Sequence, residues 1–93
     1  MSAFVTVHLT PKNPEKMQAY SAAAGPTLTA FGGKFVARGP VEVLSGEHGH
    51  KVMVVIEFPD KDAARRWYAS AEYQATIAVR TEAMDSVFVL AGE

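Results

Sequence analysis

The sequence predicts a single α+β domain in which a four-stranded antiparallel sheet carries its helices on one face. Three observations support this fold class. The segments follow the order β-α-β-β-α-β, two of the predicted strands are apolar on both faces, and a proline within another strand places that strand at an edge. The 93 residues fit one domain, residues 1–93, and no linker or repeat divides them.

The first quarter of the chain predicts a central strand followed by a broken helix. Strand 1 covers residues 3–9, where apolar side chains occur on both faces. Asn13 is placed as a helix N-cap, with Pro14 at the first helical position. Gly25 precedes a second proline, so we expect the helix to break there and a short helical piece to end at Gly32.

The middle of the chain predicts two strands joined by a polar loop. Residues 34–44 form strand 2, in which the Gly-Pro pair at 39–40 predicts a bulge and an edge position. Residues 45–50 are polar and glycine-rich, as is typical of a hairpin loop. Residues 51–58 are apolar on both faces, which places strand 3 in the centre of the sheet.

The last third predicts a helix in two pieces and a closing strand. Asp60 or Asp62 can cap the first piece, and Ser70 can cap the second, which covers residues 71–83. Strand 4 covers residues 85–91.

This order predicts the ferredoxin-like topology, because right-handed crossovers place strands 1 and 3 in the centre. Both helical segments then lie on one face, and the other face of a monomer is apolar and exposed. A chain of 93 residues without cysteine also has few other ways to bury more apolar surface. We therefore expect a homodimer in which a second sheet covers the open face.

The composition of the chain indicates which partners other than a second copy are expected. Nine lysines and arginines against ten acidic residues give a net charge of −1, so no nucleic acid and no anionic membrane is expected as a partner. The chain lacks a secretion signal and any apolar run of about 18 residues, which favours a cytoplasmic location. No cofactor-binding motif is recognised, and no cofactor is expected.

Three stretches carry a family resemblance. They are residues 37–46 (ARGPVEVLSG), 54–59 (VVIEFP) and 63–74 (AARRWYASAEYQ), and they resemble the family of domain of unknown function 1330, in the dimeric α/β-barrel superfamily. Ala71 departs from the proline that is common there. The resemblance implies a homodimer whose sheets face each other, and it brings no established activity. The wider superfamily includes cofactor-free monooxygenases, lactone isomerases, haem-handling enzymes and stress-response proteins, many with a ligand between helices and sheet.

Arg38, Glu57 and His8 are the candidate catalytic residues. Glu57 lies in a central strand, where a carboxylate needs a partner, and Arg38 in the next strand is the expected one. This pair either fixes the strand register or orients a ligand, and Glu42 could join it. His8 is expected to face the helices, as a hydrogen-bonded core residue or as a general base.

Aromatic side chains with polar atoms are the candidate ligand-binding residues, together with Glu42: Tyr20, Trp67, Tyr68 and Tyr73. Helical spacing favours an ordinary core for most of these aromatic residues, with the pocket as the alternative. Arg80 is expected at the surface, with the end of a cleft as the alternative. His48 and His50 lack a third ligand nearby, so no metal site is predicted.

Two functions follow from these residues. The first is a pocket between sheet and helices that binds a small molecule, in a possible cofactor-free isomerase, cyclase or monooxygenase. The second is a non-catalytic structural or stress-related dimer. The sequence does not decide whether the protein is an enzyme.

Overall fold

The computed structural model describes residues 2–92 and follows the predicted order of strands and helices. The strands are β1 (Ala3–Pro11), β2 (Lys34–Pro40), β3 (Val52–Phe58) and β4 (Met84–Gly92). The helices are α1 (Pro14–Ala24), α2 (Lys61–Ala69), α3 (Ala71–Gln74) and α4 (Ile77–Ala83), and a 3-10 helix (Gly25–Phe31) directly follows α1.

The sheet is antiparallel, with the strand order β2-β3-β1-β4. The predicted ferredoxin-like α+β fold is therefore confirmed, with β1 and β3 in the centre and the proline-containing β2 at an edge. Within residues 2–92, no helix combines the length and the apolar character that a bilayer crossing requires.

Local hydrogen bonds begin and end the helices where the sequence predicts. The Asn13 side chain accepts from the backbone N–H of Lys16 at 3.2 Å, and the Asp60 side chain accepts from that of Ala63 at 2.7 Å. The Ser70 hydroxyl accepts from the backbone N–H of Tyr73 at 3.2 Å. Each cap satisfies a backbone donor that the first helical turn leaves without a partner.

Two predicted elements differ from the structure. Strand 2 ends at Pro40 rather than at residue 44, and its irregularity lies between Phe35 and Ala37 instead of at the Gly-Pro pair. The helix predicted over 71–83 is interrupted before Ile77. There the buried Thr76 hydroxyl donates to the backbone carbonyl of Tyr73 at 2.7 Å, a local bond that competes with a regular helix.

The alternation of side chains gives the sheet a covered face and an open face. The covered face packs against the helices through the odd-numbered residues of β1 and the even-numbered residues of β3 from Val52 to Phe58. The open face carries the opposite set, and we define it by its residues in register: Phe4, Thr6, His8, Lys34, Ala37, Gly39, Met53, Val55, Glu57, Val87, Val89 and Ala91.

Candidate functional site

Three tyrosines and one arginine form a hydrogen-bonded cluster between the helices and the sheet. The hydroxyl oxygens of Tyr20 and Tyr73 lie 2.7 Å apart. The Nη1 atom of Arg80 donates to the hydroxyl of Tyr73 at 2.9 Å and to that of Tyr68 at 3.1 Å. α1, α2, α3 and α4 each contribute one of these residues, so the cluster ties the helical layer together.

Burial and hydrogen bonding determine the charge states of Tyr20, Tyr73 and Arg80. Burial raises the pKa of Tyr20, and the adjacent Tyr73 raises it further. Burial also raises the pKa of Tyr73 and outweighs its hydrogen bonds with Tyr20 and Arg80, which lower it. For Arg80, burial lowers the pKa, but the hydrogen bonds to Tyr68 and Tyr73 outweigh it and raise the pKa overall. At neutral pH the hydroxyl groups of Tyr20 and Tyr73 are therefore neutral, and Arg80 is a cation.

Arg80 is not the surface residue that the sequence favoured. Its guanidinium carbon lies 4.7 Å from the centre of the Phe88 ring and 5.7 Å from that of Tyr68, besides the two hydrogen bonds. The sequence contained an indication that Arg80 faces the tyrosines, because it follows Tyr73 by seven residues, or two helical turns. No acidic residue stands three or four positions away to pair with it at the surface.

A cavity of about 340 Å³ lies between α1, the 3-10 helix and the covered face of the sheet, and we call it the α1 cleft. Tyr20 and Trp67 line it, with Arg38 at the edge strand. Its other walls are largely apolar: Val7, Leu9, Met17, Leu28, Phe35, Val52, Val54, Ile56, Met84 and Phe88. The interior of the cleft is therefore largely apolar, with few polar groups.

The remaining predicted aromatic residues belong to the core around this cleft. Trp67 is 2% exposed, and its indole N–H donates to the hydroxyl of Thr27 at 2.9 Å. Tyr73 is fully buried, with its ring centre 4.4 Å from that of Trp67. Tyr68 is half-buried, 5.2 Å from Tyr73. Only Tyr20 and Trp67 of the four predicted aromatic residues line the α1 cleft.

The predicted pair of Arg38 and Glu57 does not form, because the two residues lie on opposite faces of the sheet. Arg38 pairs in register with Val54 and so shares the covered face, whereas Glu57 pairs with Phe4 on the open face. The cause is the extra residue Val36, which shifts the alternation by one position. A regular strand 2 would have placed Arg38 on the same side as Glu57.

Glu57 has two other partners. Its carboxylate accepts a hydrogen bond from the Ser2 hydroxyl at 2.6 Å and forms an ion pair with Lys34 at 3.5 Å. The Ser2 hydrogen bond lowers the pKa of Glu57, with a further contribution from Lys34. Sequence reasoning missed both partners, although Lys34 stands directly opposite Glu57 in the ladder.

His8 also lies on the open face and does not face the helices as expected. It belongs to a group formed by all three histidines of the chain, in which the His48 ring contacts the other two. His8 Nδ1 lies 3.4 Å from His48 Nε2, and the ring centres of His48 and His50 are 6.1 Å apart. Burial lowers the pKa of His8, and the charges of His48 and His50 lower it further. Within residues 2–92, no three potential metal ligands are grouped around a common point.

Glu42 lies apart from the tyrosine cluster. It lines an open groove of about 700 Å³ under the β2–β3 loop, and His8, Arg38 and His48 line the same groove. Arg38 thus borders both this groove and the α1 cleft. The loop is also apolar at its tip, where Leu44 is 90% exposed.

Solved structures share this architecture. A protein of unknown function from Rhodopseudomonas palustris is 21% identical, covers 99% of this chain and 82% of its own, and superposes with a TM-score of 0.78. SnoaB, a cofactor-independent oxygenase from Streptomyces nogalater, is 15% identical, covers 99% of this chain and 92% of its own, and has a TM-score of 0.71. A dimeric ferredoxin-like protein of unknown function from Thermobifida fusca is 16% identical, covers 100% of this chain and 92% of its own, and has a TM-score of 0.68. At these identities the likeness shows the fold.

The sequence itself supports a closer relationship to one family. No curated protein gives a significant match. Residues 2–92 match the family described as a domain of unknown function (DUF1330), the family that the three stretches of sequence resemble. Since this match spans nearly all of the 93 residues, the chain belongs to the DUF1330 family.

Proposed function

We propose that this protein is a homodimer in which each copy binds a small, largely apolar molecule in the α1 cleft through an oxygen atom of the ligand. The observation that carries the proposal is Tyr20, whose hydroxyl is hydrogen-bonded to Tyr73 and which lines a largely apolar cavity with Ser21 and Arg38 as its other polar side chains besides Trp67. An oriented donor in such a cavity favours a ligand with an acceptor oxygen, such as a ketone or an enolate.

The direction of the hydrogen bonds supports a donor role for Tyr20. Arginine can only donate, so the Tyr73 oxygen accepts from Arg80. Either hydroxyl can donate in the Tyr20–Tyr73 hydrogen bond, and we take Tyr73 as the donor. The Tyr20 hydrogen is then left for a ligand. Successive hydrogen bonds that start at a cation polarise one another, which strengthens the last donor.

Arg38 supports the proposal at the mouth of the cleft. Its side chain is exposed and, within residues 2–92, has no ion-pair partner, so its charge is available to a polar ligand as it enters. SnoaB shares the fold and is a cofactor-independent oxygenase, so we include cofactor-free oxygenation, isomerisation and cyclisation among the reactions that this site can serve.

The open face supports the homodimer. Val87 and Val89 on it are 48% and 44% exposed in the single chain. Four strands about 4.8 Å apart, each about seven residues long, present a face of roughly 450 Å², so two copies bury roughly 900 Å². The exposed Leu44 and Val43 of the β2–β3 loop add apolar surface, which brings the total into the range of specific interfaces.

The binding test uses two ligands that differ in one oxygen atom. 1-Tetralone is an aromatic ketone that fits the volume of the cleft, and tetralin is the same molecule without the carbonyl group. Trp67 is the only tryptophan of the chain and lines the cleft, so its fluorescence reports binding. We expect Tyr20→Phe to weaken 1-tetralone binding about 3- to 10-fold, as one lost hydrogen bond does, and to leave tetralin binding unchanged.

Two results would contradict the binding proposal. One is a fluorescence titration in which neither compound binds at millimolar concentration. The other is an equal loss for both compounds in Tyr20→Phe, which would mean that the variant alters the cleft as a whole.

A non-catalytic dimer is the second candidate, and one observation favours it. Within residues 2–92, no buried polar side-chain atom lacks a partner, so the tyrosine cluster is satisfied without a ligand. In this case Arg38→Ala should change neither the melting temperature nor the binding of polar ligands, because Arg38 is exposed and has no ion-pair partner within residues 2–92. If the first proposal holds, Arg38→Ala stays folded and dimeric and only loses affinity for polar ligands.

A further inference from the structure

A second cavity, of about 500 Å³, lies on the other side of Trp67 and Phe88, between α2, α4 and β4. We call it the Arg80 cavity. Its polar atoms come from Arg80, Arg65, Ser86 and Tyr68, and Leu90 and Ala64 complete its apolar walls. It differs from the α1 cleft in carrying two cations.

Neither cation of the Arg80 cavity has a counter-charge. Within residues 2–92, ion pairs join acidic residues to Lys12, Lys16, Lys34 and Arg66, and none reaches Arg65 or Arg80. The tyrosine hydroxyls and the Phe88 ring compensate Arg80 for part of the hydration that it has lost, but they leave its positive charge without a neighbouring anion. The cavity therefore has an excess of positive charge, which favours an anionic ligand.

Two nitrogen atoms of the Arg80 guanidinium, Nε and Nη2, are available for further hydrogen bonds. Its two hydrogen bonds to tyrosines both start from Nη1. Its Nε and Nη2 atoms bind no acceptor within residues 2–92, yet no buried side-chain nitrogen there lacks a partner, so these two atoms are accessible. The Phe88 ring, 4.7 Å from the guanidinium carbon, and the two tyrosine hydroxyls fix the orientation of this group.

We propose that the Arg80 cavity binds the carboxylate of a small aromatic acid. The planar guanidinium donates two parallel hydrogen bonds from Nε and Nη2, a geometry that matches the two oxygens of a carboxylate. Arg65 adds a second positive charge, and the Ser86 hydroxyl adds a donor. Phe88, Trp67 and Leu90 give the aromatic part an apolar wall. This site does not depend on what the α1 cleft binds.

The test titrates the full-length protein with three probes and follows binding by isothermal calorimetry and by amide chemical shifts. Phenylacetate carries the carboxylate and the ring, phenylacetamide is its neutral analogue, and inorganic phosphate is an anion without a ring. We expect saturable binding of phenylacetate, with shifts confined to α2, α4 and β4, and binding at least 10-fold weaker for the other two probes. Equal binding of phenylacetamide would overturn carboxylate recognition, and equal binding of phosphate would overturn the aromatic part.

Three variants locate the site. Arg65→Gln should weaken phenylacetate binding about 3- to 10-fold, and its side chain is exposed, so the fold is retained. Arg66→Gln is the matched control, because Arg66 is the next residue, pairs with Asp62 and does not line the cavity. Arg80→Lys keeps the charge but loses the planar pair of donors, and should weaken binding at least 10-fold.

The controls separate this proposal from its alternatives. Equal losses in Arg65→Gln and Arg66→Gln would show general attraction to a positive surface and overturn the proposal. Tyr20→Phe, which tests the α1 cleft, should leave phenylacetate binding unchanged. If Tyr20→Phe abolished it, the carboxylate would bind in the α1 cleft instead, and the proposal would be wrong.

Discussion

The Tyr73 hydroxyl holds two partners, whereas the Tyr20 hydroxyl holds one. Tyr73 is fully buried, so Tyr73→Phe would take a hydrogen-bond partner inside the protein from both Arg80 and Tyr20. We expect Tyr73→Phe to lower the free energy of unfolding by about 1–3 kcal/mol and Tyr20→Phe by about 1 kcal/mol. Urea denaturation of both variants measures the difference, and equal losses would contradict the larger contribution of the Tyr73 hydroxyl.

His8 makes stability depend on pH. Its pKa is lowered in the folded chain, first by burial and then by His48 and His50, so the unfolded chain binds the proton more tightly. Stability is therefore lost as the pH falls below about 6.5, the ordinary histidine pKa, toward the lower folded value. We expect the melting temperature to fall between pH 7.5 and 5.5, and to fall less in His8→Gln.

Thermal unfolding at several pH values, followed by circular dichroism, provides the measurement. Glu57 also has a lowered pKa in the folded chain, so its protonation destabilises the protein as well. This second loss of stability occurs at lower pH than that of His8, near the ordinary pKa range of a carboxylate. An identical pH dependence in wild type and His8→Gln would contradict the role of His8.

Residue types were easier to predict than the faces on which residues lie. The tyrosines were identified from helical spacing, because that spacing alone determines which side chains share a face. Arg38 and His8 were misplaced, because their faces depend on a bulge and on which side of the sheet the helices cover. Neither property is encoded in the residue itself.

Gly32 ends the 3-10 helix in a conformation that other residues adopt with difficulty. Its φ is 75°, and an added Cβ would lie 2.9 Å from Cγ of Pro59. Gly32→Ala should therefore lower the free energy of unfolding by at least about 1 kcal/mol. Gly49 is the matched control, because its φ is not positive and an added Cβ would meet no atom within 4 Å outside its chain neighbours.

We expect Gly49→Ala to be neutral or to stabilise by up to about 1 kcal/mol, since alanine restricts the unfolded chain. Chemical denaturation of the two variants side by side measures both effects. Destabilisation of similar size in both would mean that the conformation of Gly32 is not what determines the cost.

At the level of elements, the predictions succeeded where the signal is local. Asn13, Asp60 and Gly32 cap or end helices through contacts with residues at most four positions away. The break at Thr76 was missed, because threonine occurs in regular helices as well. The bulge at Val36 was also missed, because valine is an ordinary strand residue and nothing in its type marks an extra position.

A charge in the middle of the open face tests the dimer. Val55 lies there in the central strand β3, opposite Thr6. If a second copy covers this face, Val55→Lys buries an unpaired charge and should weaken dimerisation about 100-fold or more. Sedimentation at micromolar concentration should show a dimer for the wild type and a monomer for the variant.

Two further variants make this test decisive. Val87→Lys changes a side chain that is 48% exposed, and so keeps the test valid if Val55→Lys fails to fold. Ala19→Lys adds the same charge on the exposed side of α1 and should remain dimeric. A folded wild type that sediments as a single chain would refute the dimer.

At the scale of the molecule, the sheet order, the open face and a pocket between sheet and helices were expected from the sequence, while most of the residues that line the cavities were not. β1 and β3 were recognised as central because both of their faces are apolar. The α1 cleft and the Arg80 cavity depend on how side chains from distant elements pack together, as when Phe88 of β4 packs against Tyr73 and Arg80. Periodicity along one segment contains no information on such contacts.

The bulge in β2 also affects how copies of this protein can meet. Residues on both sides of Val36 keep the register of a regular ladder, so Val36 is one extra residue in the outermost strand. A kinked outer strand that ends in Pro40 is a poor template for backbone pairing with a foreign strand. On this side, growth into continuous sheets and fibrils is thus disfavoured, even though the backbone of β2 is otherwise open to it.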